Sequence, residues 1–163
     1  MVGREKRKQR KVLGLVILLV ATLTFSVLFA GALSGWFEDS KVTLSEEYYG
    51  DFEKFDDITA EEYEELVGDK KSFILLVDQG GCTTADRLRE FVKDWATDNG
   101  IRVQRVMFSD MKETSLHDYI IYYPSVAIIS NGQVVGYLRA DSSEDAEAYN
   151  DYDIFQEWIK KWF

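Results

Sequence analysis

Apolar positions in this chain form three kinds of run, and each kind predicts a different element. The first is unbroken: residues 12–37, Val12 to Phe37, carry no charge. As a helix this run would rise about 39 Å, against a hydrocarbon core of about 30 Å, so it predicts one transmembrane helix. The second kind is short and flanked by polar residues. Phe73-Ile74-Leu75-Leu76-Val77 and Val126-Ala127-Ile128-Ile129 predict buried strands. The third repeats at helical spacing. Leu88, Phe91, Val92 and Trp95 share one face, as do Tyr63, Leu66 and Val67, and again Ile154, Phe155, Trp158, Ile159 and Trp162.

Local signals bound these elements. Thr59 followed by Glu62 makes a capping box ahead of the Tyr63 helix, and Gly68 stops it. Asp78-Gln79-Gly80-Gly81 forms a turn between the first buried strand and the Leu88 helix. Ile101 to Phe108 predicts a further strand. Ser109 to Ile121 predicts a loop and short helix with Leu116, Tyr119 and Ile120 inward. Asn131-Gly132 suits a type I′ hairpin between Val126–Ile129 and a return strand over Val134–Leu138. Upstream, Val42-Thr43-Leu44 predicts a first edge strand. The chain thus divides into a basic N-terminus (1–11), the apolar span (12–37), an acidic connector (38–54) and one folded domain (55–163).

Charge sets the orientation of the span. Residues 1–11 hold six basic residues and one acid, a net +5, whereas the whole chain carries −10 and the remainder therefore −15. Basic residues before the span and Glu38-Asp39 after it place the N-terminus in the cytoplasm and the domain outside it. The competing reading is a cleaved signal peptide, for which Ala30-Gly31-Ala32 supplies a small-x-small site; the apolar run exceeds the roughly 7–15 residues of a signal peptide's core. So acidic a body repels nucleic acid, and the partners expected are the membrane and a protein or peptide.

The single cysteine, Cys82, follows the turn and opens the Leu88 helix. A thiol at a helix N-terminus is acidified by the helix dipole and the unpaired N–H groups there. Thr83 and Thr84 can cap that helix or donate to the sulfur. One cysteine makes no internal disulfide. With His117 as the only histidine there is no zinc-type cluster, and neither metal nor cofactor is expected. The acidic stretch Asp141 to Asp153 lacks the spacing and glycine of a calcium loop and is expected to be solvated.

A buried strand, a turn, a cysteine and an amphipathic helix, followed by a lone proline at the entry to the next strand and an Asn-Gly hairpin, resemble the thioredoxin superfamily. Among its members, membrane-tethered thioredoxin-like proteins of bacteria are the nearest resemblance. It implies an α/β fold over about residues 55–163, with a central mixed sheet flanked by helices. It implies that Cys82 stands at the nucleophilic position and that Pro124 is cis, with Tyr123, Pro124 and Ser125 forming the loop that holds an extended substrate. Asp78 stands where the family has a proton acceptor. The departure is Ala85, which occupies the position of the resolving cysteine. Two functions stay open: thiol–disulfide exchange with Cys82 as sole nucleophile, or a redox-inactive binding or assembly module that uses the same groove. An intermolecular Cys82 disulfide is a third.

Overall fold

The computed structural model describes residues 41–163. The predicted transmembrane span over 12–37 and the basic segment over 1–11 lie outside the described residues. No helix among the described residues is long and apolar enough to cross a membrane.

The centre of the domain is β2 (Phe73–Asp78), buried at all six positions. An apolar run buried on both faces needs cover on both sides of a sheet. It pairs in parallel with β3 (Gln104–Met107) and antiparallel with β4 (Ser125–Ser130). β1 (Asp56–Asp57) lies parallel to β3, and β5 (Gln133–Tyr137) antiparallel to β4. The sheet is therefore mixed, in the order β1-β3-β2-β4-β5. Helices flank it: α1 (Ala60–Gly68), α2 (Thr83–Asn99), the single turn α3 (Phe108–Met111) and α4 (Tyr152–Lys160). Tyr63 of α1 packs edge-on against Phe73, and Phe91 of α2 meets Tyr152 and Phe155 of α4. Leu75, Leu76, Leu88 and Ile128 are fully buried, so truncating any one to alanine costs about 2–5 kcal/mol.

The predicted local signals are present. Thr59 and Glu62 form a complete capping box, worth about 1 kcal/mol. Asn131 and Gly132 both have positive φ, 51° and 74°, as a type I′ turn requires. At Gly132 the lack of a side chain matters twice, because a Cβ there would clash with the carbonyl oxygen of Val67. Gly136 serves a close approach of another kind: the Trp162 ring lies where its Cβ would be.

Several expectations are corrected. Val42 and Leu44 are buried, yet residues 41–45 form an extended segment rather than a strand. The Val42 N–H donates to the Trp162 carbonyl, 2.6 Å, and the Ser45 N–H to Ser72, 2.9 Å. The edge strand is instead β1, two aspartates that read as loop. It forms because β3 and its approach supply their counter-charges: Arg102 meets Asp56 at 2.8 Å, and Arg105 grips Asp57 through Nε and Nη2 at 2.5 and 2.9 Å. The strand expected over Ile101–Phe108 is shortened to Gln104–Met107, with Phe108 opening α3. Tyr119, expected inward, is 51% exposed, whereas Leu116 and Ile120 are buried. Gly68 is the last residue of α1, but the left-handed residue that turns the chain is Lys70, φ 56°. The acidic stretch is not wholly solvated. It holds a 3-10 turn, Ala146–Tyr149, that buries Ala148 and Tyr149, and Asp151 caps α4 by accepting from the N–H groups of Asp153 and Ile154.

Candidate active site

The functional end of the sheet follows from its register. β2 runs toward the turn that carries Cys82, and Val77 pairs with Ser125. The Tyr123-Pro124 segment therefore lies beside the C-terminal end of β2, the end from which Gln79-Gly80-Gly81 leads to the cysteine. Gly81 takes the left-handed conformation, φ 73°, that reverses the chain there.

Cys82 is the N-cap residue of α2 and is partly exposed, with Thr83 and Thr84 opening the helix at the surface. Its acidity is raised above that of an ordinary thiol. The largest cause is the backbone N–H of Ala85, then that of Thr84, with the Thr84 hydroxyl adding a smaller effect. Partial burial and the nearby Asp86 carboxylate act in the opposite direction. The N–H groups act by proximity, because the side chain makes no full capping hydrogen bond. Ala85, at the resolving position, is fully buried.

Asp78 sits behind this turn, 2% exposed. Its Oδ1 accepts from Arg89 Nη1 at 2.5 Å and from the Gln79 N–H at 2.7 Å, while Arg105 Nη1 stands 3.6 Å from Oδ2. Arg89 also pairs with Asp86 on the same helix, and Arg105 with Asp57. One chain of alternating charges thus joins the first turn of α2 to the ends of β2, β3 and β1. Asp78 holds that chain together at its most buried point.

The proline loop is held as firmly. The Tyr123–Pro124 bond is cis, as the resemblance implies. Pro124 and Ser125 are buried, and the Ser125 hydroxyl donates to the Leu138 carbonyl at 2.7 Å. Tyr149, itself 5% exposed, donates its hydroxyl to the carbonyls of Pro124 and Leu138, both at 2.9 Å. Burial pushes the pKa of this phenol far above its ordinary range, so it stays protonated and remains a donor. Of the three loop residues only Tyr123 reaches the surface. Its ring packs, tilted by 35°, against that of Phe108 with centroids 4.7 Å apart, and Lys112 lies over Phe108 at 4.8 Å. Among the described residues neither the N–H nor the C=O of Tyr123 has a hydrogen-bond partner, leaving an open backbone edge next to the proline.

A parallel β1-β3-β2 unit continued by an antiparallel β4-β5 hairpin, a cysteine at the N-terminus of the helix after the central strand, and a cis-proline at the entry to β4 decide the architecture. The fold is thioredoxin-like. Solved structures similar to the chain include thioredoxins. The reduced thioredoxin pre-protein of Schistosoma mansoni is 16% identical, with 70% of this chain and 100% of that one covered and a TM-score of 0.49. Thioredoxin from Trypanosoma brucei brucei is 11% identical, with 66% and 92% covered and a TM-score of 0.48. Oxidised thioredoxin from Plasmodium falciparum is 12% identical, with 64% and 98% covered and a TM-score of 0.46. No protein-family model matches the sequence, and neither does any curated protein.

Sequence reasoning named Cys82, Thr83, Thr84, Asp78 and the Tyr123-Pro124-Ser125 loop as candidates, and the fold places them toward one end of the sheet. It missed Arg89, Arg105 and Tyr149. Arg89 had a signal, its i,i+3 spacing from Asp86. Arg105 and Tyr149 had none, because their partners are distant in sequence.

Proposed function

We propose that this protein is a membrane-tethered, thioredoxin-like thiol–disulfide exchange protein whose single nucleophile, Cys82, works outside the cytoplasm. The observation that carries the reading is the partly exposed Cys82 thiol at the N-terminus of α2, beside the backbone N–H groups of Ala85 and Thr84 that favour its thiolate. Supporting it is the open backbone edge of Tyr123 beside the cis-proline. An extended segment of a substrate pairs with that edge and brings its disulfide to Cys82. The Cys82 thiolate attacks one sulfur; the substrate S–S bond breaks, a Cys82–substrate disulfide forms and the other sulfur leaves as thiolate. Ala85 cannot resolve this intermediate. An external thiol attacks the substrate sulfur, forms a new disulfide and returns Cys82 as thiolate. One disulfide enters and one leaves, so the cycle is an exchange with no net redox change.

The test is the pH dependence of Cys82 alkylation by iodoacetamide in the full-length protein. A midpoint well below the ordinary value of about 8.5, together with mixed disulfides trapped on the wild type and absent from C82S, is the expected result. A thiol that is inert, or that titrates at or above the ordinary value, overturns the reading. The fully buried Ala85 in place of a second cysteine would then favour a redox-inactive binding module that uses the same groove.

A further inference from the structure

Beside the proline loop, on the side away from the hairpin tip, lies a cleft of about 190 Å³ that the exchange chemistry does not use. Its walls come from two stretches. One is Asp118 to Tyr122, which leads directly into Tyr123-Pro124; the other is Tyr137 to Asp141, which leaves β5. The two stretches adjoin because β5 pairs with β4, Tyr137 opposite Ala127, and because the Leu138 N–H donates to Val126 at 2.8 Å.

The lining is aromatic and acidic. Tyr119 and Tyr122 are each 51% exposed, unusually open for residues next to a buried strand, and Tyr137 is half-buried. Asp118 and Asp141 are exposed at the mouth, and among the described residues neither has a cationic or hydrogen-bonding partner. The one cation in the lining, Arg139, is already neutralised. It pairs with Glu144 at 3.3 Å and Asp145 at 3.5 Å, and it donates to the Ser142 hydroxyl at 2.8 Å. Its own backbone N–H is taken by Asp145. The cleft thus offers two uncommitted carboxylates and three tyrosines with no spare positive charge. Carboxylates attract a cation and tyrosine faces bind one.

We propose that this cleft is a side-chain pocket for a lysine or arginine of the segment that binds along the proline loop, and that it selects basic segments as substrates. The proposal rests on the peptide-binding part of the function above but not on the reactivity of Cys82. An extended peptide paired with Tyr123 sends alternate side chains to one side of its backbone, and the cleft begins at the residue before Tyr123. The pocket is open to water, so each carboxylate contributes at the scale of an exposed pair, and their joint effect on binding is about five- to tenfold.

The probe is a fluorescein-labelled eight-residue peptide with serine in place of the reactive cysteine and lysine on both sides of it; a second peptide has glutamine in place of the lysines. Binding to the full-length protein is followed by fluorescence anisotropy at physiological salt, where the field of distant charges is screened. The lysine peptide is expected to bind about five- to tenfold more tightly than the glutamine peptide, and D118N/D141N is expected to erase the difference while leaving the glutamine peptide unaffected. E61Q/E65Q, in the acidic cleft along α1, is expected to retain the full preference. Equal binding of the two peptides overturns the proposal, as does an equal loss of preference in E61Q/E65Q, which would assign it to overall charge. Because the peptides carry no thiol, an inert Cys82 would refute the exchange reading and leave this measurement intact.

Discussion

Replacing Arg89 with methionine removes the shorter of the two arginine contacts to Asp78 and keeps an unbranched, helix-favouring side chain in its place. The side chain of Asp78 is 3% exposed. Without Arg89 its carboxylate retains the Gln79 N–H at 2.7 Å and Arg105 at 3.6 Å. Stripping a buried charge of its only partner costs about 3–5 kcal/mol; with Arg105 still facing the second oxygen, R89M is expected to cost about 2–3 kcal/mol. D78N removes the charge itself and costs about 2 kcal/mol, chiefly through weakened hydrogen bonds. Once the carboxylate is gone Arg89 has little left to neutralise there, so D78N/R89M is expected at about 2–3 kcal/mol rather than the additive 4–5, a coupling of about 2 kcal/mol. Urea unfolding of residues 41–163, followed by far-UV circular dichroism, measures this. With a slope of about 1.5 kcal/mol/M, R89M should lower the midpoint by about 1.3–2 M at unchanged slope. A loss under about 0.5 kcal/mol for R89M, or strict additivity in the double variant, would refute the argument that this pair anchors the turn before Cys82.

Four further perturbations probe other parts of the domain. D86N removes the carboxylate that opposes ionisation of Cys82, so the alkylation midpoint should fall; a rise would contradict the assigned electrostatics. Because the folded chain lowers the Cys82 pKa, the stability that the thiolate contributes is complete above the unfolded chain's value and is lost as pH falls through the folded one, and C82A should flatten stability against pH across that window. G132A should cost at least about 2 kcal/mol, since alanine meets both a left-handed φ of 74° and a clash with the Val67 carbonyl; thermal unfolding within error of wild type would dismiss that contact. Y149F leaves the Leu138 carbonyl its bond from Ser125 but takes the tyrosine donor from Pro124. It should cost about 1–2 kcal/mol and weaken peptide binding, with Cys82 alkylation unchanged; an altered alkylation midpoint would mean that the two halves of the site are coupled.

The elements of this domain that depend on near neighbours were legible in the sequence. β2, α2 and α4 follow from runs and periods of apolar residues, the capping box from Thr59 and Glu62, the hairpin from Asn131-Gly132. The position of Cys82 at a helix N-terminus is equally local, since a strand, a turn and an amphipathic helix follow one another within 25 residues, Ser72 to Ala96. These features arise from backbone preference and one-dimensional burial patterns, which a linear text carries.

What joins residues far apart in the chain was decided only by the tertiary structure. Two aspartates become β1 because Arg102 and Arg105 arrive beside them from β3 and the segment just before it, some 48 residues away in the Asp57–Arg105 pair. Asp78 reads as a strand-end acid, yet its role is set by Arg89 and Arg105 converging from a helix and another strand. Tyr149 sits in an acidic stretch that composition assigns to solvent, yet it is buried, with its hydroxyl donating to the carbonyls of Pro124 and Leu138. The uncommitted charge of Asp118 and Asp141 is likewise a property of the assembled cleft, since it depends on Arg139 being occupied by its own loop. A sequence records which charges and hydrogen-bonding groups exist; which of them are neutralised, and which are left to meet a ligand, is determined when folding brings them within a few ångströms of one another.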